Sequence, residues 1–178
     1  NLQFHVQPIS TDKLGGASLH DFHAFTPTVA NVRPTSRGEI NIISKDSREK
    51  PKIKMNYLST EDDRKVAADG LRLVRDIVFK SETFKRYHPE ELRPGSQFQS
   101  NEELVQEGSK FTQTIFHPVG TCKMGNDENA VVNDELKVHG IQNLRIIDAS
   151  IMPNITSGNT NAPTIMIAEK GADMILGK

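Results

Sequence analysis

The chain has 178 residues, a net charge of -1 and 35% hydrophobic residues, with a mean hydropathy of -0.50. The balanced charge argues against a nucleic-acid or acidic-lipid partner, and no apolar run is long enough to span a bilayer. Cys122 is the single cysteine, which excludes an internal disulfide and a four-cysteine zinc site.

The first half of the chain predicts extended structure followed by one long helix. Extended structure is predicted at 1–6, 25–32 and 39–43, where apolar and polar residues alternate or β-prone residues follow one another. A loop separates the first two stretches. Pro27 places the second stretch at a sheet edge, and glycines predict the loop at 14–18. A strand pattern at the first residue predicts that the chain belongs to a longer polypeptide. Ser59 and Asp62 form a capping-box pattern that predicts a helix over about 60–80.

The second half predicts short elements separated by long irregular segments. Prolines make 87–98 irregular, and Ser100 with Glu103 forms a second capping box that starts a helix ending near Lys110. Short extended pieces are predicted at 130–132 and 144–148. A last helix, about 163–176, is apolar nearly all round and is therefore predicted to be buried on most sides. The uneven order of strands and helices indicates an α+β fold.

His117 is the first candidate for chemistry. Pro118 disfavours helical angles at residue 117, and Gly120 and Gly125 allow turns that let a loop approach a ligand. An imidazole with an unperturbed pKa of about 6.5 can accept a proton near neutral pH. A hydrogen-bonded structural histidine in a turn is the alternative.

Two further polar residues lie where ligand contacts are common. Asn161 comes two residues before Pro163, where an asparagine can cap a helix, bind a ligand at the helix N-terminus, or do both. Asp148 ends an apolar strand pattern, so it is either a ligand contact or a residue of a turn or helix cap.

Other reactive side chains have weaker support. His20 and His23 are three residues apart, but a metal site needs three or four ligands and no cluster of further ligands accompanies them. Cys122 is close to His117 in sequence without the other features of a thiol enzyme. His139 precedes a glycine and is predicted to lie in an exposed turn.

Several segments, in order and with consistent spacing, resemble one enzyme family. They read FHPVGTCKMG at 116–125, VHG at 138–140, LRIIDASIMP at 144–153 and GNTNAPT at 158–164, with RPTSRG at 33–38 and NYLS at 56–59 further upstream. This set resembles the C-terminal signature of the glucose–methanol–choline (GMC) flavin oxidoreductases. The residues of these segments are most similar to the branch that holds choline dehydrogenase and bacterial acceptor-dependent alcohol dehydrogenases.

The resemblance implies a two-domain flavoenzyme of which this chain is the C-terminal part. Residues 1–112 would supply an antiparallel-sheet substrate-binding domain with flanking helices. Residues 113–178 would supply the active-site loop, then a strand and a helix that complete the FAD-binding domain. The sequence contains no Gly-x-Gly-x-x-Gly pattern, so the N-terminal Rossmann region that anchors FAD would be a missing partner from the same protein.

The resemblance also implies a role for each matching residue. His117 would accept the proton of the alcohol hydroxyl while hydride passes from the carbinol carbon to flavin N5, and Asn161 would hold the substrate oxygen. Residues lining FAD would be Asp148, Ala149, Ala162, Pro163 and Thr164. The substrate would be a small-molecule alcohol, and oxygen or a quinone would accept the electrons.

Two alternatives to the alcohol oxidoreductase stay open at this point. Some members of the family are hydroxynitrile lyases that use the same fold and histidine without net redox chemistry. The segments at 123–125 and 158–164 are more similar to the dehydrogenase branch. An isolated fragment that binds nothing is the other alternative.

Overall fold

A computed structural model of the chain describes residues 1–12 and 18–177. The chain forms two compact units, one made of Asn1–Asn31 and Tyr57–Gln113 and the other of Val32–Asn56 and Thr114–Lys178. The predicted division between 112 and 113 lies one residue from the later boundary. Segment 32–56 is part of the second compact unit.

The first unit contains a two-stranded antiparallel sheet and its helices. Strand β1 (Leu2–Gln7) pairs with β2 (Thr26–Asn31), as the alternating pattern predicts. Helix α1 (Glu61–Lys80) packs on β2 at Gly70, where an added Cβ would lie 3.0 Å from a methyl group of Val29. The absence of a side chain at Gly70 therefore allows the helix to approach the strand. Of the predicted loop at 14–18, residues 14–17 lie outside the described part of the chain.

Helix caps in this unit follow from local sequence, with one shift in register. The N-cap of α1 is Thr60, whose hydroxyl accepts a hydrogen bond from the N–H of Asp63 at 3.3 Å. The predicted pairing of Ser59 with Asp62 is thus wrong by one residue, because Thr60 holds the extended N-cap conformation. A four-residue helix, α2 (Glu82–Lys85), was not predicted.

Helix α3 (Asn101–Ser109) confirms the second predicted capping box. The Ser100 hydroxyl accepts from the N–H of Glu103, and the Glu103 carboxylate accepts from the N–H of Ser100 at 2.9 Å. This second bond, with the N–H of Gln99, lowers the pKa of Glu103 below its ordinary value. Segment 87–98 contains no helix or strand, as its prolines predict.

The second unit holds a small sheet and a separate apolar core. Strand β3 (Glu39–Asn41) pairs antiparallel with β4 (Lys52–Lys54), which confirms part of the strand predicted at 39–43. A short 3₁₀ helix covers Ala149–Ile151, and α4 covers Asn161–Leu176. The core around them contains Val132, Leu136, Ile151, Met152 and Ile167.

The strand predicted at 144–148 does not form. Arg145 makes only an isolated bridge with Lys137, and the bonds nearby join Val138 to Leu144 and Ile146 to Leu136. Leu136 has a φ of 64°, a left-handed conformation that interrupts a regular ladder. The apolar residues therefore join the core from irregular backbone.

The prediction that α4 is buried on most sides is also wrong for this chain. Only Ile167 and Gly171 of the helix are buried, whereas Ile165 is 54% exposed and Met166 is 59% exposed. The helix is apolar around most of its circumference, but the described residues of this unit cover one side. Among the described helices, none is long and apolar enough to cross a membrane.

Candidate active site

The loop that carries His117 makes a local contact before the histidine and backbone contacts with the 3₁₀ helix after it. Phe116, directly before the histidine, has a φ of 65°, and its N–H donates to the Thr114 hydroxyl at 2.9 Å. After the histidine, the N–H of Cys122 donates to the carbonyl of Ser150 at 3.0 Å, and the N–H of Met124 donates to that of Ile151 at 2.8 Å. The loop is thereby tied to the 3₁₀ helix and the core beneath it.

The His117 imidazole contacts two residues at the N-terminal end of α4. Its Nδ1 lies 3.0 Å from the Thr160 hydroxyl, and its Nε2 lies 2.9 Å from the Asn159 amide nitrogen. Both partners are uncharged, and the histidine itself is half-buried. The imidazole is therefore held at both nitrogens by neutral groups, and no described residue forms an ion pair with it.

Neither Asn159 nor Thr160 was identified from the sequence. Asn159 is exposed, whereas Thr160 is 7% exposed and is the N-cap residue of α4. The contact with His117 spans 43 residues. The available signal was the polar composition of 156–161 next to an apolar helix, which does not identify which side chain faces the histidine.

Asn161 follows Thr160 directly and is the first residue of α4. Its side chain is exposed and makes no hydrogen bond with any described residue. Of the alternatives left open for Asn161, a role as the helix cap is excluded, because the N-cap is Thr160. The structure therefore leaves the Asn161 amide available to another molecule, within two residues of both contacts of His117.

The N-terminus of α4 differs from those of α1 and α3. It has no side-chain cap and no acidic residue in its first turn, whereas α1 starts with Glu61, Asp62 and Asp63 and α3 with Glu102 and Glu103. The Thr164 N–H and hydroxyl both donate to the Thr160 carbonyl, and Pro163 has no N–H. The N–H groups of Asn161 and Ala162 thus form the open end of the helix dipole.

Asp148 and Ala149 lie at the 3₁₀ helix rather than at the end of a strand. The Asp148 carboxylate caps this helix by accepting from the N–H of Ser150 at 2.7 Å. Ile147, directly before it, touches α4 at Gly171. The two segments predicted to line FAD, 148–149 and 162–164, therefore belong to one packed region of the second unit.

The RPTSRG segment holds the loop that leads to Asn159. Arg33 donates from Nε to the Ser157 hydroxyl at 2.6 Å, and Arg37 donates to the Asn154 amide oxygen. These arginines and their partners line a cavity of about 450 Å³. The segment thus acts locally as a support for 154–157.

The remaining sequence candidates that the structure describes make local contacts of their own. His20 lies 3.0 Å from the Ser10 hydroxyl, and His139 lies 3.0 Å from the carbonyl of Gly125. Cys122 is a free, half-buried thiol. Among the described residues, no group of three or more histidine, cysteine or acidic side chains could hold a metal ion.

A half-buried imidazole with neutral partners, beside the open N-terminus of a helix, is chemically able to exchange a proton with a bound molecule. The chain belongs to the GMC oxidoreductase family, whose C-terminal family model matches residues 34–168. This membership confirms the resemblance seen in the sequence.

Similar proteins support the same family. The chain is 46% identical over 178 residues to an oxygen-dependent choline dehydrogenase of Pseudomonas savastanoi pv. phaseolicola, covering 100% of this chain and 31% of that protein. It is 46% identical over 177 residues to the enzyme of the same name from Proteus mirabilis, covering 99% of this chain and 32% of that protein. The chain therefore spans about a third of the length of these curated relatives.

Solved structures confirm the mixed helix and sheet fold. Pyridoxine 4-oxidase from Mesorbium loti superposes with a TM-score of 0.82 at 31% identity, covering 90% of this chain and 31% of that chain. A variant of formate oxidase from Aspergillus oryzae, studied for its effect on FAD modification, superposes with a TM-score of 0.81 at 31% identity, covering 93% and 29%.

Proposed function

We propose that this chain is the C-terminal part of an FAD-dependent oxidoreductase that oxidises choline or a closely related small alcohol. The observation that carries the proposal is the His117 imidazole, held by Thr160 and Asn159 at the open end of α4. Identity of 43–46% to several choline dehydrogenases supports the choice of substrate.

In this proposal His117 takes the hydroxyl proton of the alcohol on Nε2. The O–H bond breaks and an N–H bond forms, while the Nδ1 side stays held by Thr160. Neutral partners at both nitrogens support this role, because no fixed carboxylate would retain the proton after transfer. A well-placed base of this kind contributes on the order of 10²–10⁴-fold in rate.

Asn161 holds the substrate oxygen in the same proposal. Its exposed amide can donate a hydrogen bond to the oxygen as the hydroxyl proton leaves. The open N–H groups at the start of α4 add positive potential at the same place. The substrate oxygen thus meets an acceptor at His117 and donors at the helix end.

FAD fits the residues around the start of α4. An uncapped helix end without acidic residues suits an electron-rich ring edge, and the 148–149 segment belongs to the same packed region. We propose that Ala162, Pro163 and Thr164 lie along FAD at the helix start, with Asp148 and Ala149 beside them. FAD, when bound, accepts the hydride from the carbinol carbon.

Phe116 has a further proposed role. The Phe116 side chain is 82% exposed, and its position next to His117 makes its ring available to the apolar part of a substrate.

The two parts of the chain have different proposed roles. Residues 1–112 contribute to substrate binding, and residues 113–178 contribute to the active-site loop and the FAD domain. Oxygen is the proposed electron acceptor, because the similar choline dehydrogenases are oxygen-dependent enzymes.

The complete enzyme and its His117→Ala variant test the function. Anaerobic mixing with choline should bleach the oxidised flavin in the parent, and the variant should bleach on the order of 10²–10⁴ times more slowly. His139→Ala, which replaces an exposed histidine of the same unit, is the matched control. Bleaching at the parent rate in His117→Ala would refute the role of His117, and oxygen consumption with choline tests the acceptor.

A further inference from the structure

Thr160 occupies the N-cap of α4 without using its hydroxyl as a cap. Thr60 and Ser100, the N-caps of α1 and α3, have extended backbones with ψ of 155° and 162°, and their hydroxyls accept from the third N–H of the helix. Thr160 instead has φ of -87° and ψ of 0° and makes no side-chain cap. The buried Thr160 hydroxyl therefore bonds a partner other than an N–H of the helix.

That partner is Nδ1 of His117, and the contact at Nε2 assigns the direction of the bond. The Asn159 amide nitrogen, 2.9 Å from Nε2, can only donate, so Nε2 accepts. A neutral imidazole that accepts at Nε2 carries its proton on Nδ1, and the Thr160 oxygen accepts that proton at 3.0 Å. The backbone N–H of Thr160 also points at Nδ1, but at 3.4 Å it makes the longer and weaker contact.

We propose that Thr160 is a positioning residue that fixes the His117 tautomer with its proton on Nδ1, which keeps the lone pair of Nε2 for the substrate proton. The inference rests on the proposed function of His117 and deepens it. The same bond serves both charge states, because Nδ1–H donates to the Thr160 oxygen before and after Nε2 takes a proton. In the absence of substrate, Asn159 occupies Nε2.

Thr160→Val in the complete enzyme removes the hydroxyl while keeping the shape of the side chain. A buried Nδ1–H then lacks its acceptor, so the proton moves to Nε2, and flavin reduction by choline should slow about 10- to 100-fold with flavin content unchanged. Thr160→Ser keeps the hydroxyl and should restore most of the rate. Thr160→Ala gives the same comparison if the valine variant fails to fold.

A second readout does not depend on turnover. Diethyl pyrocarbonate modifies a neutral imidazole, and peptide mass spectrometry measures its reaction at His117 as a function of pH. In Thr160→Val the charged imidazole loses its acceptor, so the midpoint of the curve should shift to lower pH, whereas Thr160→Ser should follow the parent.

The outcomes separate this inference from the function on which it rests. If His117→Ala reduces its flavin at the parent rate, the proposed function is wrong. If His117→Ala is slow but Thr160→Val matches the parent in both rate and modification curve, only the role of Thr160 is overturned. Equal defects in the valine and serine variants would also overturn it, because the hydroxyl would then not be the cause.

Discussion

Gly171 of α4 lies against Ile147, and a Cβ built on the glycine would stand 2.5 Å from Cγ2 of that isoleucine. Because Ile147 directly precedes Asp148, this contact sets the separation between α4 and the 3₁₀ helix. The small residue at 171 therefore controls how closely the two segments proposed to line FAD approach each other.

Gly171→Ala should lower the stability of the complete enzyme. Overpacking against Ile147 costs about 1–3 kcal/mol, and better helix propensity returns up to about 1 kcal/mol. We expect a lower midpoint of thermal unfolding and weaker flavin retention. Gly108→Ala in α3 is the control, because its Cβ would meet only the end of Leu71 at 3.3 Å. Equal midpoints in the two variants would show that the contact with Ile147 is not constraining.

Local signals predicted much of the fold, and long-range contacts explain what they missed. Helices α1 and α3 follow from capping residues and apolar spacing within one segment. The contact of Thr160 with His117 joins segments 43 residues apart, and no local pattern encodes it. The apolar circumference of α4 predicted burial, but such a pattern does not tell which residues would cover the helix.

Arg75 on α1 organises the irregular segment 87–98 through a bidentate pair with Glu91. Both bonds are 2.8 Å long, the side chains are 14% and 9% exposed, and Arg75 also donates to the carbonyls of Gly95 and Phe98. Arg75→Leu leaves the buried Glu91 carboxylate without its cationic partner, which costs about 3–5 kcal/mol. Amide hydrogen exchange across 87–98 should become faster in the variant.

Arg72→Leu on the same helix is the control for Arg75. Arg72 is more exposed, pairs with Asp69 at 3.5 Å and donates to the Gln99 carbonyl. Pairs of this kind contribute about 0–1 kcal/mol. If exchange in 87–98 is as slow in Arg75→Leu as in Arg72→Leu, the buried pair does not hold the segment.

Asn161→Ala should impair substrate handling more than cofactor retention. Removing the amide takes away one donor to the substrate oxygen, so kcat/KM for choline should fall about tenfold, while the flavin content stays near that of the parent. Steady-state kinetics and the flavin absorbance of the purified protein measure the two effects. Loss of flavin without a kinetic defect in the remaining holoenzyme would instead indicate a structural role.

Asn159→Asp should change the pH dependence of flavin reduction. A carboxylate 2.9 Å from Nε2 would hold a proton on that nitrogen. As the pH is lowered, the rate of flavin reduction should therefore begin to fall at a pH about one unit higher than in the parent. Anaerobic mixing with choline across a range of pH measures this rate. Asn143→Asp adds the same charge in an exposed turn and should keep the parent profile. Identical profiles for both variants would contradict the contact between Asn159 and Nε2.

Glu103 should make the stability of α3 depend on pH in a defined direction. Its bonds to the N–H groups of Ser100 and Gln99 lower its pKa in the folded state, so folding is favoured while the side chain is ionised. This contribution is fully present above the ordinary glutamate pKa of about 4.3 and disappears as the pH falls through the lowered value. Glu103→Gln should therefore speed amide exchange across 101–109 at neutral pH, with a smaller difference from the parent below about pH 4. Glu102→Gln removes an acid of the same turn that makes no side-chain bond with the described residues, so a pH-dependent defect of equal size in that variant would assign the effect to the helix dipole instead of the capping box.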